Sequence, residues 1–339
     1  MSARAYILPV FVPHRGCPHT CVFCNQRRIS GAAVPAAAQD VKKTIQEAAA
    51  FLPKGGKRQL AFYGGSFTAI PAPEQEALLG AAKEALDRGE IDAVRLSTRP
   101  DAIDAAVLAR LKAYGVETVE LGAQSMDDEV LRLSERGHTA ADVERASKLI
   151  RAAGFRLVLQ MMTGLPGAAD ESDTETARRL IALKPDGVRI YPTVIVRDSA
   201  LYDMWQAGEY REHTVEDAVR VCAKIVPLFE RAGIPIIRLG LNPTEELSGG
   251  AAVGGAYHPA LGELVRSRIL LEKARALLSG IEPGSRVTLL VGRGKTSQMA
   301  GQHRENVRCL TREFALAELK IRERSEADGE HIQLYIEKK

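Results

Sequence analysis

The feature that most constrains the fold is an alternation of short apolar runs, rich in β-branched residues, with longer helical patterns. This alternation predicts βα units around a parallel sheet. We interpret it as an α/β barrel or curved open sheet; Rossmann-type winding is the alternative, although no G-x-G-x-x-G follows the first strand. The predicted strands are Tyr6–Val12, Gln59–Tyr63, Val94–Thr98, Thr118–Leu121, Arg156–Met162, Gly187–Tyr191 and Ile234–Leu239, and the predicted helices include Ala36–Leu52, Glu74–Arg88, Ala102–Ala113, Ala140–Ala153 and Asp173–Ala182.

The alternation breaks down after about residue 245, where the Gly-rich segment Ser248–Gly255 begins. A helix is predicted over Glu263–Ser279, and the tail then predicts a small α+β module. We therefore expect three parts: a core barrel over residues 1–245, a helical connector over 246–280 and an α+β module over 281–339 that binds substrate or RNA. The predicted elements of the module are the strand Arg286–Val291, the helix Thr296–Thr311 and the strands Ala317–Arg322 and His331–Glu337.

Composition adds few constraints. With 45% hydrophobic and 26% charged residues the chain is typical of globular proteins, and a formal net charge of +3 does not by itself indicate nucleic-acid binding. No apolar run reaches the length of about 18 residues that a membrane helix needs. Because the N-terminus also lacks a cleavage-site pattern, we expect a cytoplasmic protein without a membrane-spanning segment.

Residues of unusual chemistry cluster directly after the predicted strands. In a parallel barrel these loops share the face at the carboxyl ends of the strands, where active sites are built. The sequence therefore predicts one site on this rim. Its parts are the cysteines after the first strand, Gly64-Gly65-Ser66, Thr98-Arg99-Pro100-Asp101, Gln124, Gly164-Leu165-Pro166-Gly167 and Tyr191-Pro192-Thr193.

Cys17, Cys21 and Cys24 lie within eight residues in the spacing C-x3-C-x2-C. In a cytosolic chain, clustered cysteines are more often metal-binding or catalytic than disulfide-bonded. Three thiolates on one loop can bind three irons of a cubane cluster and leave the fourth iron open. The alternative is a structural zinc site with His14 or His19 as the fourth ligand, although zinc sites more usually use two separated ligand pairs.

The cysteine spacing, with Phe23 before the last cysteine, resembles the signature of the radical SAM superfamily. The chain to about residue 245 is similar to one branch of it, the catalytic subunit of Elongator, and more weakly to oxygen-independent coproporphyrinogen oxidase. Matching motifs occur in the same order. They are Gly64-Gly65-Ser66-Phe67-Thr68, Thr98-Arg99-Pro100-Asp101, Glu120-Leu121-Gly122-Ala123-Gln124-Ser125, Arg136-Gly137-His138-Thr139, Met161-Met162-Thr163-Gly164-Leu165-Pro166, Asp186–Thr193 and, in a following helix, Gly208-Glu209-Tyr210.

This resemblance implies a partial (β/α)6 barrel with a [4Fe-4S] cluster at its mouth and S-adenosylmethionine as cosubstrate. In such enzymes the open iron binds the amino and carboxylate groups of S-adenosylmethionine. Reductive cleavage then gives a 5′-deoxyadenosyl radical that abstracts hydrogen from the substrate, while the protein supplies position and water exclusion. We expect the electron to come from a reductant protein such as flavodoxin or ferredoxin.

The resemblance also implies cofactor contacts at the strand ends. The turn of Gly64, Gly65 and Ser66 would hydrogen-bond the methionyl amino group through its backbone. Gln124 would contact the ribose or the methionine moiety, and Arg136 would pair with the methionyl carboxylate through its bidentate fork. A tight turn and a surface salt bridge are the alternatives for the glycines and for Arg136.

Further roles follow at the later strands. Gln160 would face the ribose, and Gly164 and Leu165 would shape the adenine pocket. Arg99 and Tyr191 are candidate substrate contacts, although a buried tyrosine is more often a core residue.

The chain departs from the family pattern in two respects. Ser97 stands where the family commonly has glutamate, so a carboxylate contact to the methionyl amine is missing. Nothing resembles an acetyl-CoA site or Elongator's acetyltransferase domain, so we do not transfer carboxymethylation of wobble uridine to this protein.

The tail carries a basic segment in which Gly292-Arg293-Gly294-Lys295 separates a predicted strand from a predicted helix. Backbone N–H groups at such a place can meet phosphate, so Arg293 and Lys295 are candidate RNA contacts; a solvated helix face is the alternative. Positive charge on the cysteine loop is consistent with an anionic substrate. The leading hypothesis is an enzyme that modifies a tRNA or other RNA base. The others are an enzyme acting on a small molecule, peptide or tetrapyrrole precursor, and a non-catalytic binding module. The sequence does not indicate the oligomeric state.

Overall fold

The computed structural model describes residues 5–18, 20–31, 34–51, 56–324 and 331–336. These residues form two units: one holds the chain up to Thr214 together with Pro227–Pro259, and the other holds Val215–Val226 and the chain from Ala260 onward. The division near residues 245 and 280 stays a prediction. Three residues that the sequence analysis names, His19, Leu52 and Glu337, lie outside the described residues.

The first unit is built on a parallel sheet. Strands β1 to β6 and β8 pair in the order β1-β2-β3-β4-β5-β6-β8, and every neighbouring pair is parallel. Within the described residues β1 and β8 do not pair with each other, so the sheet is open; β7 and β9 form a separate antiparallel pair. The strands are β1 Ala5–Phe11, β2 Lys57–Tyr63, β3 Ala93–Thr98, β4 Val116–Gln124, β5 Arg156–Thr163, β6 Gly187–Pro192, β7 Val194–Val196, β8 Ile236–Leu239 and β9 Ala252–Gly255.

Helices connect the parallel strands, as the helical periodicity predicts. In one of them Val143, Ala146 and Ile150 are fully buried at helical spacing, and a capping box of Thr139 with Asp142 starts it. No described helix is long and apolar enough to cross a bilayer. The helices are α1 Gln26–Ser30, α2 Ala38–Phe51, α3 Ala72–Asp87, α4 Ala105–Ala113, α5 Asp128–Leu133, α6 Ala140–Ala152, α7 Asp170–Ala182, α8 Ala200–Gln206 and α9 Val215–Arg231; Gly208-Glu209-Tyr210, expected inside a helix, follows the end of α8 instead.

The sheet curls around a cavity. On β1 the side chains alternate: Leu8 and Val10 are buried, whereas Ile7, Pro9 and Phe11 line the cavity. Residues of all seven parallel strands line this cavity, as they do in a sheet bent into part of a barrel. The predicted partial barrel is therefore confirmed, with β8 as a seventh strand beside the six that the resemblance implies.

The second unit contains a small three-stranded sheet in the order β11-β10-β12, where β10–β11 is parallel and β10–β12 is antiparallel. The predicted α+β module is confirmed, and its apolar core includes Leu270, Leu289 and Leu310. Its elements are α10 Leu261–Leu278, β10 Arg286–Val291, α11 Thr296–Ala300, α12 Glu305–Glu313, β11 Glu318–Glu323 and β12 Gln333–Ile336.

The single helix predicted over Thr296–Thr311 is wrong, because the chain breaks between α11 and α12. Gly301, His303 and Arg304 all have positive φ angles, of 75°, 49° and 61°. A Cβ on Gly301 would lie 2.9 Å from the Asn306 side chain, so a larger residue would not fit at this break. Asn306 in turn donates a hydrogen bond to the carbonyl of Met299, at the end of α11.

Candidate active site

The cysteine loop after β1 is joined to the glycine turn after β2 by backbone hydrogen bonds. His14 donates to the carbonyl of Gly64 (3.0 Å), and Ser66 donates to the carbonyl of Arg15 (2.8 Å). A Cβ at Gly65 would lie 2.6 Å from the same Arg15 carbonyl oxygen, which is closer than real Cβ contacts come. The glycine therefore lets the two loops pack backbone against backbone.

The three cysteines of this loop line one cavity of about 690 Å³. Cys21 is buried, and its carbonyl accepts the Cys24 N–H (2.9 Å). Burial, then the neighbouring Cys21, raises the pKa of the Cys24 thiol to about 12. As thiolates, these cysteines would repel one another. A positively charged iron centre removes that repulsion, so the three thiols are a suitable set of iron ligands. Within the part of the chain that the structure describes, no three His, Cys, Asp or Glu side chains converge on a single metal ion, and in a cubane each cysteine binds a different iron.

His14, one of the two ligands considered for zinc, has a different partner. Its Nε2 accepts the backbone N–H of Gln26 at 3.1 Å. The Gln26 side chain then donates to the Sγ of Cys24 (3.4 Å). Both residues thus brace the cysteine loop, and Nε2 of His14 is engaged.

Arg136 reaches the cysteines from the segment after α5. Its Nη1 donates to the Sγ of Cys21 (3.1 Å), and its Nη2 donates to the carbonyl of Gly122 on β4 (2.8 Å). The guanidinium is buried, and its Nε has no hydrogen-bond partner among the described residues. A fixed positive charge therefore lies against the cysteine loop, inside the cavity wall.

Arg99, in the segment after β3, holds the backbone of Arg136. Arg99 is 4% exposed and donates from Nη2 to the Arg136 carbonyl (2.7 Å). Its Nε pairs with Asp101 (2.6 Å), and its backbone N–H donates to Ser66 Oγ (3.2 Å). Arg99 lines the cavity, but these bonds also make it a brace between neighbouring loops. Ser97, in the position that is commonly acidic in the family, lines the cavity as well.

Gln124, the last residue of β4, meets Gln160, which lies three residues before the end of β5. Nε2 of Gln160 donates to Oε1 of Gln124 at 3.5 Å, and both side chains line the cavity. Gln124 has a left-handed backbone with φ of 64°, beside a register shift between Gly122 and Gln124. Strained backbone of this kind is a frequent feature of functional sites.

Gly164 and Leu165 lie behind the cavity, and neither lines it. Gly164 has φ of 70°, and its N–H donates to a buried Asp173 carboxyl oxygen (2.9 Å). Its carbonyl accepts the Tyr210 hydroxyl (2.7 Å). A Cβ at Gly164 would lie 2.0 Å from the His213 ring, so the turn is closed from the outside by neighbouring side chains.

The remaining candidate substrate contacts belong to different units of the chain. Tyr191 lines the cavity, whereas Arg293 and Lys295 belong to the second unit. There Arg293 is exposed, Lys295 Nζ donates to the Gln298 side chain (2.9 Å), and the Gly294 N–H donates to a Glu323 carboxylate oxygen (3.0 Å). That backbone amide is therefore already engaged by an anion of the protein itself.

Sequence reasoning missed a buried charge network deeper in the cavity. Glu120 pairs with Arg95 (2.6 Å) and Arg189 (2.7 Å), and the Tyr63 hydroxyl also donates to it (3.0 Å). The sequence does contain a signal for this network, because charged residues stand in the middle of apolar strands. A charged side chain buried in such a strand needs a partner of opposite charge.

Comparison with known proteins shows the family to which the chain belongs. Residues 11–180 match the Radical SAM superfamily and residues 185–270 match the Radical_SAM C-terminal domain. The chain therefore belongs to the radical SAM superfamily and is an enzyme. The resemblance to the Elongator branch is confirmed as well, by the relatives described next.

Two relatives and one solved structure define this similarity. The chain is 34% identical over 138 residues to human Elongator complex protein 3, covering 40% of this chain and 25% of that protein. It is 30% identical over 179 residues to a tRNA uridine(34) acetyltransferase of Methanocaldococcus infernus, covering 51% of this chain and 32% of the relative. The structure of the archaeal Methanocaldococcus infernus Elp3 superposes with a TM-score of 0.63 at 22% identity, covering 81% of this chain and 64% of that chain. The matched region thus spans a third or less of the two curated relatives, and the superposition shows the shared fold.

Proposed function

We propose that this radical SAM enzyme holds a [4Fe-4S] cluster on Cys17, Cys21 and Cys24 and modifies a base of tRNA or another RNA. The observation that carries the proposal is the placement of all three cysteines around one cavity, with the Arg136 guanidinium 3.1 Å from Cys21 Sγ. When bound, the cluster and S-adenosylmethionine would supply a 5′-deoxyadenosyl radical for hydrogen abstraction.

The residues of the chain would bind and orient the cosubstrate. The guanidinium of Arg136 is fixed by Gly122 and offers charge for the methionyl carboxylate. The backbone groups of Gly64 and Gly65 would bind the methionyl amine. Ser97 has no carboxylate, so it cannot provide the acidic contact to that amine. Gln124, which lines the cavity, would contact the ribose or the methionine moiety.

Other residues would complete the cosubstrate pocket. Gln160, held against Gln124, would face the ribose, and Gly164 with Leu165 would shape the adenine pocket from behind the wall. Arg99 and Tyr191 would face the substrate. The electron is expected from a flavodoxin or a ferredoxin.

The first experiment tests the radical chemistry. After anaerobic reconstitution with iron and sulfide, dithionite and S-adenosylmethionine should release 5′-deoxyadenosine from the wild-type chain. Cys21→Ala should abolish the release and lower the iron content. Cys309→Ala is the matched control, because Cys309 lies in the second unit, beside Arg275. A cluster-loaded wild-type protein that releases no 5′-deoxyadenosine would contradict the proposal.

The second experiment tests the RNA substrate, which the name of one relative, a tRNA uridine(34) acetyltransferase, and the basic tail support. Filter binding to bulk tRNA across a salt series should show a steep loss of affinity with salt, as phosphate contacts produce. Arg293→Ala with Lys295→Ala should reduce that slope. Arg132→Ala with Arg178→Ala removes the same charge from exposed helix faces and should leave it unchanged. No binding to tRNA at low salt would exclude the RNA substrate.

A second candidate is a small molecule, peptide or tetrapyrrole precursor. It is favoured by a specific observation: five arginines line the cavity, and those deep inside are placed to meet a small anionic group. Mass spectrometry of nucleosides and of metabolites from cells lacking the protein separates the two candidates.

A further inference from the structure

The inner half of the cavity contains a second cluster of charged side chains, apart from Arg136 and Arg99 near the cysteines. We define it as the inner arginine cluster: Arg95 on β3, Glu120 on β4, Arg189 on β6 and Arg238 on β8. Glu120 precedes Gln124 by four residues on its strand. At about 3.3 Å per residue the cluster lies roughly 13 Å from the rim, toward the amino ends of the strands.

Glu120 stands at the centre of the cluster with its carboxylate fully used. The side chain is 1% exposed. Arg95 Nη2 lies 2.6 Å from Oε1, Arg189 Nε donates to Oε2 at 2.7 Å, and the Tyr63 hydroxyl donates to Oε1 at 3.0 Å. One carboxylate therefore holds two guanidinium groups, and it neutralises only one positive charge.

Arg238 adds a further positive charge. It pairs in register with Arg189, so both side chains leave the sheet on the same face. It donates to the backbone carbonyls of Gly240 and Leu241 at 3.1 Å each, and no carboxylate contacts it in the described ranges. The inner arginine cluster therefore carries three guanidinium groups against one carboxylate.

The lining of the whole cavity shows the same imbalance. Among the described residues that line it, Glu120 is the one carboxylate, against the five arginines Arg95, Arg99, Arg136, Arg189 and Arg238. Arg99 has Asp101 as a partner outside the lining, and Arg136 lies at the cysteines. Among the residues that the structure describes, the excess positive charge of the inner arginine cluster has no such carboxylate partner. Since arginine does not give up its proton in proteins, a partly buried excess of guanidinium groups is costly until an anion neutralises it.

We propose that the inner arginine cluster is a binding subsite for an oxyanion of the substrate, either a carboxylate or a phosphate. The planar guanidinium groups of Arg189 and Arg238, side by side on neighbouring strands, are suited to such a group. The subsite would anchor the end of the substrate remote from the cysteines. This inference rests on the proposed function only in taking the cavity as the place of the substrate.

The test uses the full chain with its cluster reconstituted and measures thermal stabilisation by sodium phosphate and, separately, by sodium acetate. Sodium chloride at equal ionic strength is the reference. A saturable rise in Tm with phosphate, acetate or both is expected, and the more effective anion identifies the source of the oxyanion. Arg238→Gln should raise the apparent Kd about tenfold or more, as loss of a charged hydrogen bond does.

Two further variants keep the result interpretable. Arg238→Lys keeps the charge but loses the planar guanidinium, so its Kd should lie between those of the wild type and Arg238→Gln. Arg132→Gln, at an exposed arginine paired with Glu129, should bind as the wild type does. No saturable stabilisation of the wild type, or an unchanged Kd in Arg238→Gln, would overturn the proposal. 5′-Deoxyadenosine release from the same samples is scored separately. Anion binding without release would contradict the proposed function alone, and release without anion binding would contradict the subsite alone.

Discussion

Nη1 of Arg136 lies 3.1 Å from Sγ of Cys21, although 115 positions separate the two residues in the chain. The contact places a permanent positive charge against the middle cysteine of the loop and holds it there through Gly122 on β4. It links the cysteine motif to the Arg-Gly-His-Thr motif, two features that the sequence shows only as separate patterns.

We expect Arg136→Gln to slow the cleavage of S-adenosylmethionine about tenfold to a hundredfold. A hydrogen bond to a charged group contributes about 1.5–3 kcal/mol, and about 1.36 kcal/mol corresponds to a tenfold change. The measurement is the rate of 5′-deoxyadenosine release at known iron content. Because iron bound per chain is measured in the same sample, loss of the cluster is distinguished from loss of cosubstrate binding. Wild-type rates in Arg136→Gln would argue against any role of this guanidinium.

Gly65→Ala should destabilise the first unit and reduce iron retention. Its Cβ would lie 2.4 Å from the carbonyl oxygen of Val12 and 2.6 Å from that of Arg15, and backbone atoms have little room to adjust. We expect a loss of at least about 1–3 kcal/mol in the free energy of unfolding, as for other overpacked sites.

Gly80→Ala is the matched control for this change. Gly80 lies inside α3, and an added Cβ would meet no described atom within 4 Å beyond its chain neighbours and the nearby backbone of its own helix. Alanine there should stabilise the protein by about 0.5–1 kcal/mol, because glycine is the poorer helix former. Urea unfolding of both variants is the measurement; equal effects of the two substitutions would contradict the close-packing argument.

Gly164→Ala should be rescued in part by a second change. The added Cβ would lie 2.0 Å from the His213 ring, whose Nε2 is 3.2 Å from Thr163 Oγ1. In Gly164→Ala with His213→Ala the clash is gone, while the cost of a left-handed alanine, about 1–2 kcal/mol, remains. The double variant should therefore lose less free energy of unfolding, measured by urea titration, than the sum of the losses of the two single variants. Simple additivity would show that the ring does not close this turn.

Asp173 should make the protein less stable as the pH rises from about 4 to 7. Burial raises the pKa of this carboxyl to about 7 in the folded chain, above the ordinary value of 3.8. Between these two values the folded state binds more protons than the unfolded state, so unfolding becomes easier with increasing pH. This stabilising contribution is fully present below the ordinary value and is lost as the pH passes the folded value.

His138 acts in the opposite direction over the same range. Burial, then the neighbouring Arg136, lowers the pKa of His138 from 6.5 to about 4, so the folded state prefers the neutral ring and gains stability as the pH rises. The two effects oppose each other in the wild type. Asp173→Asn should therefore reveal a free energy of unfolding that increases from pH 4 to 6.5, measured by urea titration at each pH. A slope identical to that of the wild type would refute the shift assigned to Asp173.

The sequence by itself determined the order of the strands and helices of the barrel, because apolar periodicity and helix-starting residues act over a few neighbouring positions. It also indicated the rim: parallel strands bring their carboxyl ends to one edge, so residues after the strands must share a face. The helix over Thr296–Thr311 could not be predicted correctly, because the break at Gly301 depends on the close approach of Asn306.

Only the tertiary structure decided which side chains meet inside that rim. Arg95 and Arg189 share Glu120 because β3, β4 and β6 curl around one cavity, whereas Gly164 turns toward His213 and away from that cavity. The curvature and register of the sheet follow from pairings between strands tens of residues apart. A local pattern shows that a charged residue lies within an apolar strand, and long-range pairing selects the charge that it faces.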